Sequence, residues 1–365
     1  MEDNTQKKER IVSGARPTGR LHLGNYWGTI RNWVDLQDKY DCYFFVADWH
    51  ALTTGAEEKS AKIADNTRDM VLDLMAVGLD MEKCVFFRQS DVKAHAELNL
   101  LLSMIMPINQ LLRNPTFKDQ LREFYNQKYK GQEASKKDAE GVIRQLADAA
   151  GGEAQALQSD MAVLGFLGYP VLMAADIMIY DAKYVPIGRD QLPHLEITRE
   201  LVRRFNKTFK AKVFYEPQPL FTKTAIVPGL DGRKMSKSYD NTISICEEPK
   251  SLEKKIKKMF TDPKKIKADD PGHPEGCVVC AFHRLYNEAG VPQIEQQCLA
   301  GQRGCGNCKK ELIAIMEAAI GKVRERRAEL EKTVDIDRIL EEGAKKAAII
   351  ANAKVRQASK AAGII

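Results

Sequence analysis

Residues 10–26 read Arg-Ile-Val-Ser-Gly-Ala-Arg-Pro-Thr-Gly-Arg-Leu-His-Leu-Gly-Asn-Tyr. Arg10 to Ser13 has the short apolar pattern of a strand. Gly14, Pro17 and Gly19 then break it, and a helix opens near Asn25 and runs to about Lys39. The carboxyl end of such a strand is where α/β sheets bind ligands, and the free N–H groups of a helix start favour phosphate. His22 and Asn25 add side-chain donors there, while Gly24 lacks a Cβ and lets a flat adenine or ribose lie against the backbone. The bland alternative for His22 is an ordinary capping or turn residue.

Working outward, Asp41 to Asp48 is a continuous apolar run, as expected of a strand buried on both faces of a parallel sheet. A helical pattern follows from about Ser60 to Val77, then a strand at Cys84–Arg88. Later come a helix around Tyr169 to Tyr180, a strand at Tyr184–Ile187 and a helix from about Gln191 to Phe205. This alternation predicts a doubly wound, Rossmann-like parallel α/β sheet. Between about Lys118 and Asp160 a Lys/Glu/Gln-rich excursion interrupts it. Past Cys246 helical patterns dominate, near Leu252–Phe260, Lys309–Lys332 and Asp335–Ala362. We therefore expect a sheet domain over 1–245, with the excursion inserted, and a helical domain over 246–365.

The chain has 365 residues, 44% of them hydrophobic, which excludes wholesale disorder. No run approaches a membrane span, and Met1 to Glu9 offers no secretory-type apolar stretch, so the expectation is a soluble, cytoplasmic protein. Net charge is +6. Nearly all of the excess falls after Ile245, where Lys254, Lys255, Lys257 and Lys258 lie on one expected helix and Lys322, Arg324, Arg326 and Arg327 on another. That face suits an anionic partner such as nucleic acid, or is simply solvated.

A second loop, Pro228-Gly-Leu-Asp-Gly-Arg-Lys-Met-Ser-Lys-Ser238, carries two lysines three apart, Lys234 and Lys237. Such a pair can clamp a polyphosphate, although a lone Lys-rich loop is usually only a basic surface. Neither a G-x-x-x-x-G-K-[ST] phosphate loop nor a G-x-G-x-x-G fingerprint is present. The cysteines are uneven. Cys42, Cys84 and Cys246 are scattered in apolar surroundings and read as buried thiols. Cys277, Cys280, Cys298, Cys305 and Cys308 crowd one window. Four thiolates suit an iron–sulfur cluster or tetrahedral zinc, spacing does not choose between them, and free or mutually oxidised thiols are the third option.

The two loops together resemble the paired signatures of class I aminoacyl-tRNA synthetases. Gly19–Tyr26, Ala47-Asp-Trp-His50-Ala51, Tyr169-Pro-Val-Leu-Met-Ala-Ala-Asp176-Ile177, Gly188-Arg-Asp-Gln191 and Gly343-Ala-Lys-Lys-Ala347 narrow the resemblance to the tryptophanyl-tRNA synthetase family. It runs from about Arg10 to Gly363 apart from the excursion. The resemblance implies activation of L-tryptophan with ATP and Mg2+, then transfer to tRNA(Trp). It implies His22, Asn25, Lys234 and Lys237 as the catalytic set, with Thr18, Gly24, Ser236 and Ser238 as further ATP contacts. His50, Tyr169, Met173, Asp176 and Gln191 would form the tryptophan pocket, Asp176 accepting the indole N–H. Read without the family, Met173 is plain core and Asp176 a helix-surface carboxylate. Val12 stands where bacterial members often carry an aromatic, which bears on how the indole packs.

Cys298-x6-Cys305-x2-Cys308 with Cys277 is similar to the motif with which some bacterial members hold a [4Fe–4S] cluster. That pattern favours Cys277 over Cys280 as fourth ligand, with Zn2+ as the alternative metal. The family also implies a homodimer. Two other readings stay in view: a tyrosyl-tRNA synthetase, whose pocket must read a phenol hydroxyl, and a non-enzymatic RNA-binding relative.

Overall fold

The computed structural model describes residues 8–53, 60–112, 163–221 and 227–365. The expected excursion at 118–160 lies outside the described residues. Five parallel strands, β1 (Arg10–Ala15), β2 (Asp41–Val46), β3 (Cys84–Arg88), β4 (Tyr184–Ile187) and β5 (Gln218–Phe221), form one sheet in the order β3-β2-β1-β4-β5. In register, Ile11 sits opposite Cys42 on one side and Tyr184 on the other. The strand order therefore reverses between β1 and β4, which opens a crevice at the carboxyl edge, where ligands bind in such sheets.

Both faces of the sheet are covered. Ile11, Phe44 and Phe86 point into one apolar core with Trp33 and Met70, while Val12, Tyr43, Phe45 and Phe87 point into a second. This two-sided burial explains why the strands read as unbroken apolar runs rather than alternating ones. β5 is the exception. It holds Pro219, is half exposed, and sits at the sheet edge, where a missing N–H does little harm.

In chain order the helices are α1, built end to end from Leu23–Asn25, a π turn at Tyr26–Ile30, and Arg31–Leu36, then α2 (Asp48–Ala51), α3 (Ile63–Ala76), α4 (Ala94–Ser103), α5 (Ile108–Leu112), α6 (Leu164–Met178) and α7 (Leu192–Thr208). The helical region supplies α8 (Pro249–Lys258), α9 (Val278–Tyr286), α10 (Val291–Leu299), α11 (Cys305–Thr333) and α12 (Ile336–Ala361). No described helix is long and apolar enough to cross a membrane.

The helical region does not stand apart from the sheet. α11 packs along α3 and α8, and α12 crosses β3 and α4. Ala347, Ala351 and Ala358 of α12 are buried in the second core. The crossing is closest at Gly343, where a Cβ would lie 1.7 Å from the Phe86 carbonyl oxygen. Gly343→Ala should therefore force α12 off the sheet and cost about 2 kcal/mol or more. Gly28→Ala, where a Cβ meets nothing within 4 Å, should be neutral or stabilising by up to about 1 kcal/mol. Denaturant unfolding of the two variants checks this, and equal stabilities would contradict it.

Candidate active site

The loop after β1 is held by distant backbone. Leu23 N–H donates to the Ile243 carbonyl at 2.9 Å, and the Leu21 carbonyl accepts from Ile245 N–H at 3.1 Å. His22 does cap α1, as the bland reading expects. Its Nδ1 accepts the Asn25 N–H at 3.3 Å, and Asn25 Oδ1 accepts the His22 N–H at 3.1 Å, a reciprocal capping box. The cap also has a chemical consequence. With Nδ1 an acceptor, the proton of the neutral ring sits on Nε2. Burial first, and then the Lys237 charge, pull the ring pKa down from 6.5 to about 4. At neutral pH His22 is thus a neutral N–H donor.

The second loop closes onto the first. Lys237 Nζ donates to the Thr18 carbonyl at 2.6 Å, and Gly24 N–H meets the buried Met235 Sδ at 3.3 Å. Gly24 earns its place here, since a Cβ would come within 2.9 Å of His22 Nδ1 and 3.3 Å of Met235 Cβ. The loop is pinned by Asn241, which sequence reading missed. Its Oδ1 accepts from Ser236 N–H at 2.8 Å, and its Nδ2 donates to Asp231 Oδ1 at 2.8 Å and to the Lys234 carbonyl at 3.2 Å. Lys234 itself is exposed, and Ser238 lies in the short 3-10 turn Lys237–Tyr239.

Asp176 is no helix-surface carboxylate; only 3% of the residue is exposed. Its oxygens accept from His50 Nε2 at 2.8 Å, Gln89 Nε2 at 2.8 and 2.9 Å, and His95 Nδ1 at 2.6 Å. His95 Nε2 in turn meets the Tyr180 hydroxyl at 2.7 Å. With Nδ1–H donating to the carboxylate, a neutral His95 accepts the Tyr180 proton at Nε2. Burial would raise Asp176, but the hydrogen bonds from His50 and His95 outweigh it and hold the group below the usual carboxylate value. Gln89 and His95 were not visible as site residues in the sequence. Tyr169 lies edge-on to His194 at 5.4 Å, Met173 is half-buried against the second core, and Gln191 caps the start of α7 beyond β4. Val12 is buried in the same core, opposite Tyr43 in the sheet register.

The cysteine window also folds together. Cys277, Cys280, Cys298, Cys305 and Cys308 line one recess with Pro274, Ile294 and Arg303. The Cys280 thiol lies 3.6 Å from Glu295 Oε1, and burial pushes it up to about 12. The metal expectation is not met as stated, because among the described residues no group of three or more His, Cys, Asp or Glu stands in metal-holding geometry. Cys42, Cys84 and Cys246 are buried as expected.

The basic helices need a correction as well. Arg327 is buried on Asp73 and Asp69, Arg324 bonds the Glu247 carbonyl and Glu317, and Lys255 pairs with Glu247 at 2.8 Å. These charges are structural. Lys254, Lys257, Lys258, Lys322 and Arg326 remain exposed.

The chain matches the family of class I tRNA synthetases (W and Y) over residues 4–321, and it belongs to that family. It is 43% identical to the tryptophan–tRNA ligase of Aquifex aeolicus, covering 96% of this chain and 99% of the relative. The ligase of Thermotoga maritima is 39% identical, with 98% and 99% covered. A tryptophanyl-tRNA synthetase of Campylobacter jejuni, solved with ADP and tryptophan, superposes with TM-score 0.77 at 32% identity, covering 97% of this chain and 99% of its own. A tyrosyl-tRNA synthetase of Archaeoglobus fulgidus, at 20% identity and TM-score 0.60, shares the fold alone. Within the class, the chain is a member of the tryptophan–tRNA ligases.

The depressed His22 pKa has a sign that can be checked. The unfolded chain binds a proton at this ring near 6.5 and the native chain only near 4, so acid erodes stability through that window. In edited NMR spectra the His22 ring should titrate near pH 4, and Lys237→Ala should move the midpoint upward. A midpoint at the ordinary value would contradict the neutral donor.

Proposed function

We propose that the carboxyl-edge crevice joins tryptophan to tRNA(Trp) in two steps. Tryptophan and Mg-ATP first give tryptophanyl-adenylate and pyrophosphate, and the acyl group then passes to the terminal ribose of the tRNA. The observation that carries this reading is the contact of the two loops over the sheet edge, Lys237 Nζ on the Thr18 carbonyl at 2.6 Å. That ammonium lies on the loop before α1, the loop that we read as the phosphate site.

The loop that opens α1, with Thr18, Gly24 and Asn25, cradles the nucleotide. The His22 Nε2–H donates to phosphate without adding charge. Lys234, Lys237, Ser236 and Ser238 meet the departing pyrophosphate. Negative charge spreads over the phosphoryl oxygens in the transition state, so the two ammonium groups act most strongly there.

In the tryptophan pocket, Asp176 is the acceptor for the indole N–H, which joins or replaces one of the donors now on its oxygens. His50 holds the Oδ2 side of that carboxylate. Tyr169 and Gln191 orient the amino and carboxylate ends, and Met173 walls the indole face. Phenylalanine leaves a buried acceptor unpaired, at a cost of roughly 1–3 kcal/mol.

Residues 246–365 form the tRNA-reading region in this proposal, with Lys254, Lys257, Lys258, Lys322 and Arg326 facing the phosphate backbone. The exposed apolar side chains of Leu100, Met104 and Ile108, close in sequence, support a homodimer. For the cysteines, the shared recess supports Cys277, Cys298, Cys305 and Cys308 as ligands of a [4Fe–4S] cluster, with zinc second. Such a group would tie α9, α10 and α11 together, and the ligation itself needs no electron transfer.

Tryptophan-dependent ATP–pyrophosphate exchange tests the reaction, and exchange with tyrosine in its place would overturn the assignment. Asp176→Ala strands the donors of His50, Gln89 and His95. It should lower kcat/KM for tryptophan by about a hundredfold while changing KM for ATP little. Equal losses for both substrates would make Asp176 structural.

The metal reading has its own check. Anaerobically purified protein should be brown and contain iron, and Cys305→Ser or Cys308→Ser should release it. Colourless protein with stoichiometric zinc would replace iron by zinc, and metal-free protein of full activity would remove the site.

A further inference from the structure

The buried Arg327 has no place in the roles given so far. It lies near the carboxyl end of α11, in the helical region, with its side chain 4% exposed. Nε donates to Asp73 Oδ1 at 2.8 Å, Nη2 to Asp69 Oδ1 at 2.5 Å and Nη1 to Glu331 Oε2 at 3.3 Å. All three arms of the guanidinium are therefore used, two of them on α3. Asp73 passes the connection on. Its second oxygen, Oδ2, accepts the Leu21 N–H at 2.7 Å, one residue before His22.

A neighbouring contact braces the other side of the same ribbon. Arg324 donates to the Glu247 carbonyl, Glu247 Oε2 accepts the Ser244 N–H at 2.8 Å, and Ser244 pairs with His22 across an isolated bridge. Two arginines one helical turn apart on α11 thus support both sides of the bridge between His22 and Ser244.

Stability alone does not account for this arrangement. A buried ion pair is often no better for the fold than apolar residues of the same volume, because two charges must be desolvated. What the pair adds is direction. A carboxylate clamped from one side by a planar guanidinium presents its other oxygen at a fixed point. That point is the backbone N–H of the nucleotide loop.

We propose that Arg327 is a positioning residue for ATP: through Asp73 it fixes the Leu21 peptide, and with it the His22–Asn25 turn that cradles the nucleotide. The inference rests on the reading of that turn as the ATP site. It links the helical region to amino-acid activation through two side chains and one peptide group. Tryptophan lies on the opposite side of the dependence, since the Asp176 network shares no residue with it.

Steady-state pyrophosphate exchange on Arg327→Ala tests the proposal, with ATP and tryptophan varied in turn. KM for ATP should rise about tenfold, while KM for tryptophan stays within about twofold. Arg327→Lys, which can remake a single bond to Asp73, should recover part of the loss. Arg327→Ala also leaves two carboxylates uncompensated and lowers Tm. The double variant Asp73→Ala/Arg327→Ala therefore serves as the second test. It removes the stranded Asp73 charge, so Tm should recover relative to the single variant. KM for ATP should stay raised, because the Leu21 N–H has lost its acceptor.

An ATP KM that returns to the wild-type value with Tm would show that Arg327 acts on stability only, and would overturn the proposal. So would equal rises in both KM values, or no change in either. Wild-type protein without tryptophan-dependent exchange would instead overturn the reading of the loop as an ATP site, and this inference with it.

Discussion

The Leu21 peptide is gripped from both sides, its N–H by Asp73 and its carbonyl by the Ile245 N–H. A loop leaving a parallel strand has no ladder partner of its own, yet its backbone groups must still be satisfied once buried. This chain satisfies them with a carboxylate 52 residues downstream in α3 and a backbone segment from beyond the lysine loop. Everything that follows along the loop inherits that placement. The capping box of His22 and Asn25 sets the ring tautomer, the missing Cβ of Gly24 admits Met235, and Met235 brings Lys237 over the crevice.

The other half of the crevice obeys a different constraint. A carboxylate buried beneath the sheet edge is tolerable only if donors surround it. Asp176 draws these from α2, from the turn after β3 and from α4, so the same bonds that keep it ionised also knit the three elements into one wall. Recognition of a lone N–H requires a fixed acceptor with a defined lone pair, and in the proposed function this wall supplies it. On that proposal, charge for phosphates arrives on a loop, whereas discrimination of the side chain is built into the helices and the turn around Asp176.

How far this was legible in the sequence varies with the reach of the interactions involved. β2, β3 and β4 fall where the apolar runs place them, because two-sided burial writes itself into consecutive residues. β5 left no such trace, being four residues at an edge with Pro219 inside. The two loops that the proposal assigns to the nucleotide were legible as loops because their glycines, histidine and lysines are local. Gln89 and His95 were not, since each reads as one polar residue among others until the fold sets it 87 or 81 residues away against Asp176. Arg327 misled for the same reason. In a run of basic residues it looks solvated, and its true partners, Asp73 and Asp69, lie 254 and 258 residues upstream. The cysteines stand between these cases: their clustering was evident and the fold does gather them around one recess, but the described side chains do not stand in metal-holding geometry.

The most direct test of the account is a crystal structure with tryptophan and a non-hydrolysable ATP analogue bound together. The account places the phosphates beside His22 Nε2, with Lys237 Nζ transferred from the Thr18 carbonyl to a phosphate oxygen. The indole N–H lies on Asp176, and the Leu21 N–H remains on Asp73. A nucleotide bound outside this crevice, with Lys237 still on Thr18, would contradict it.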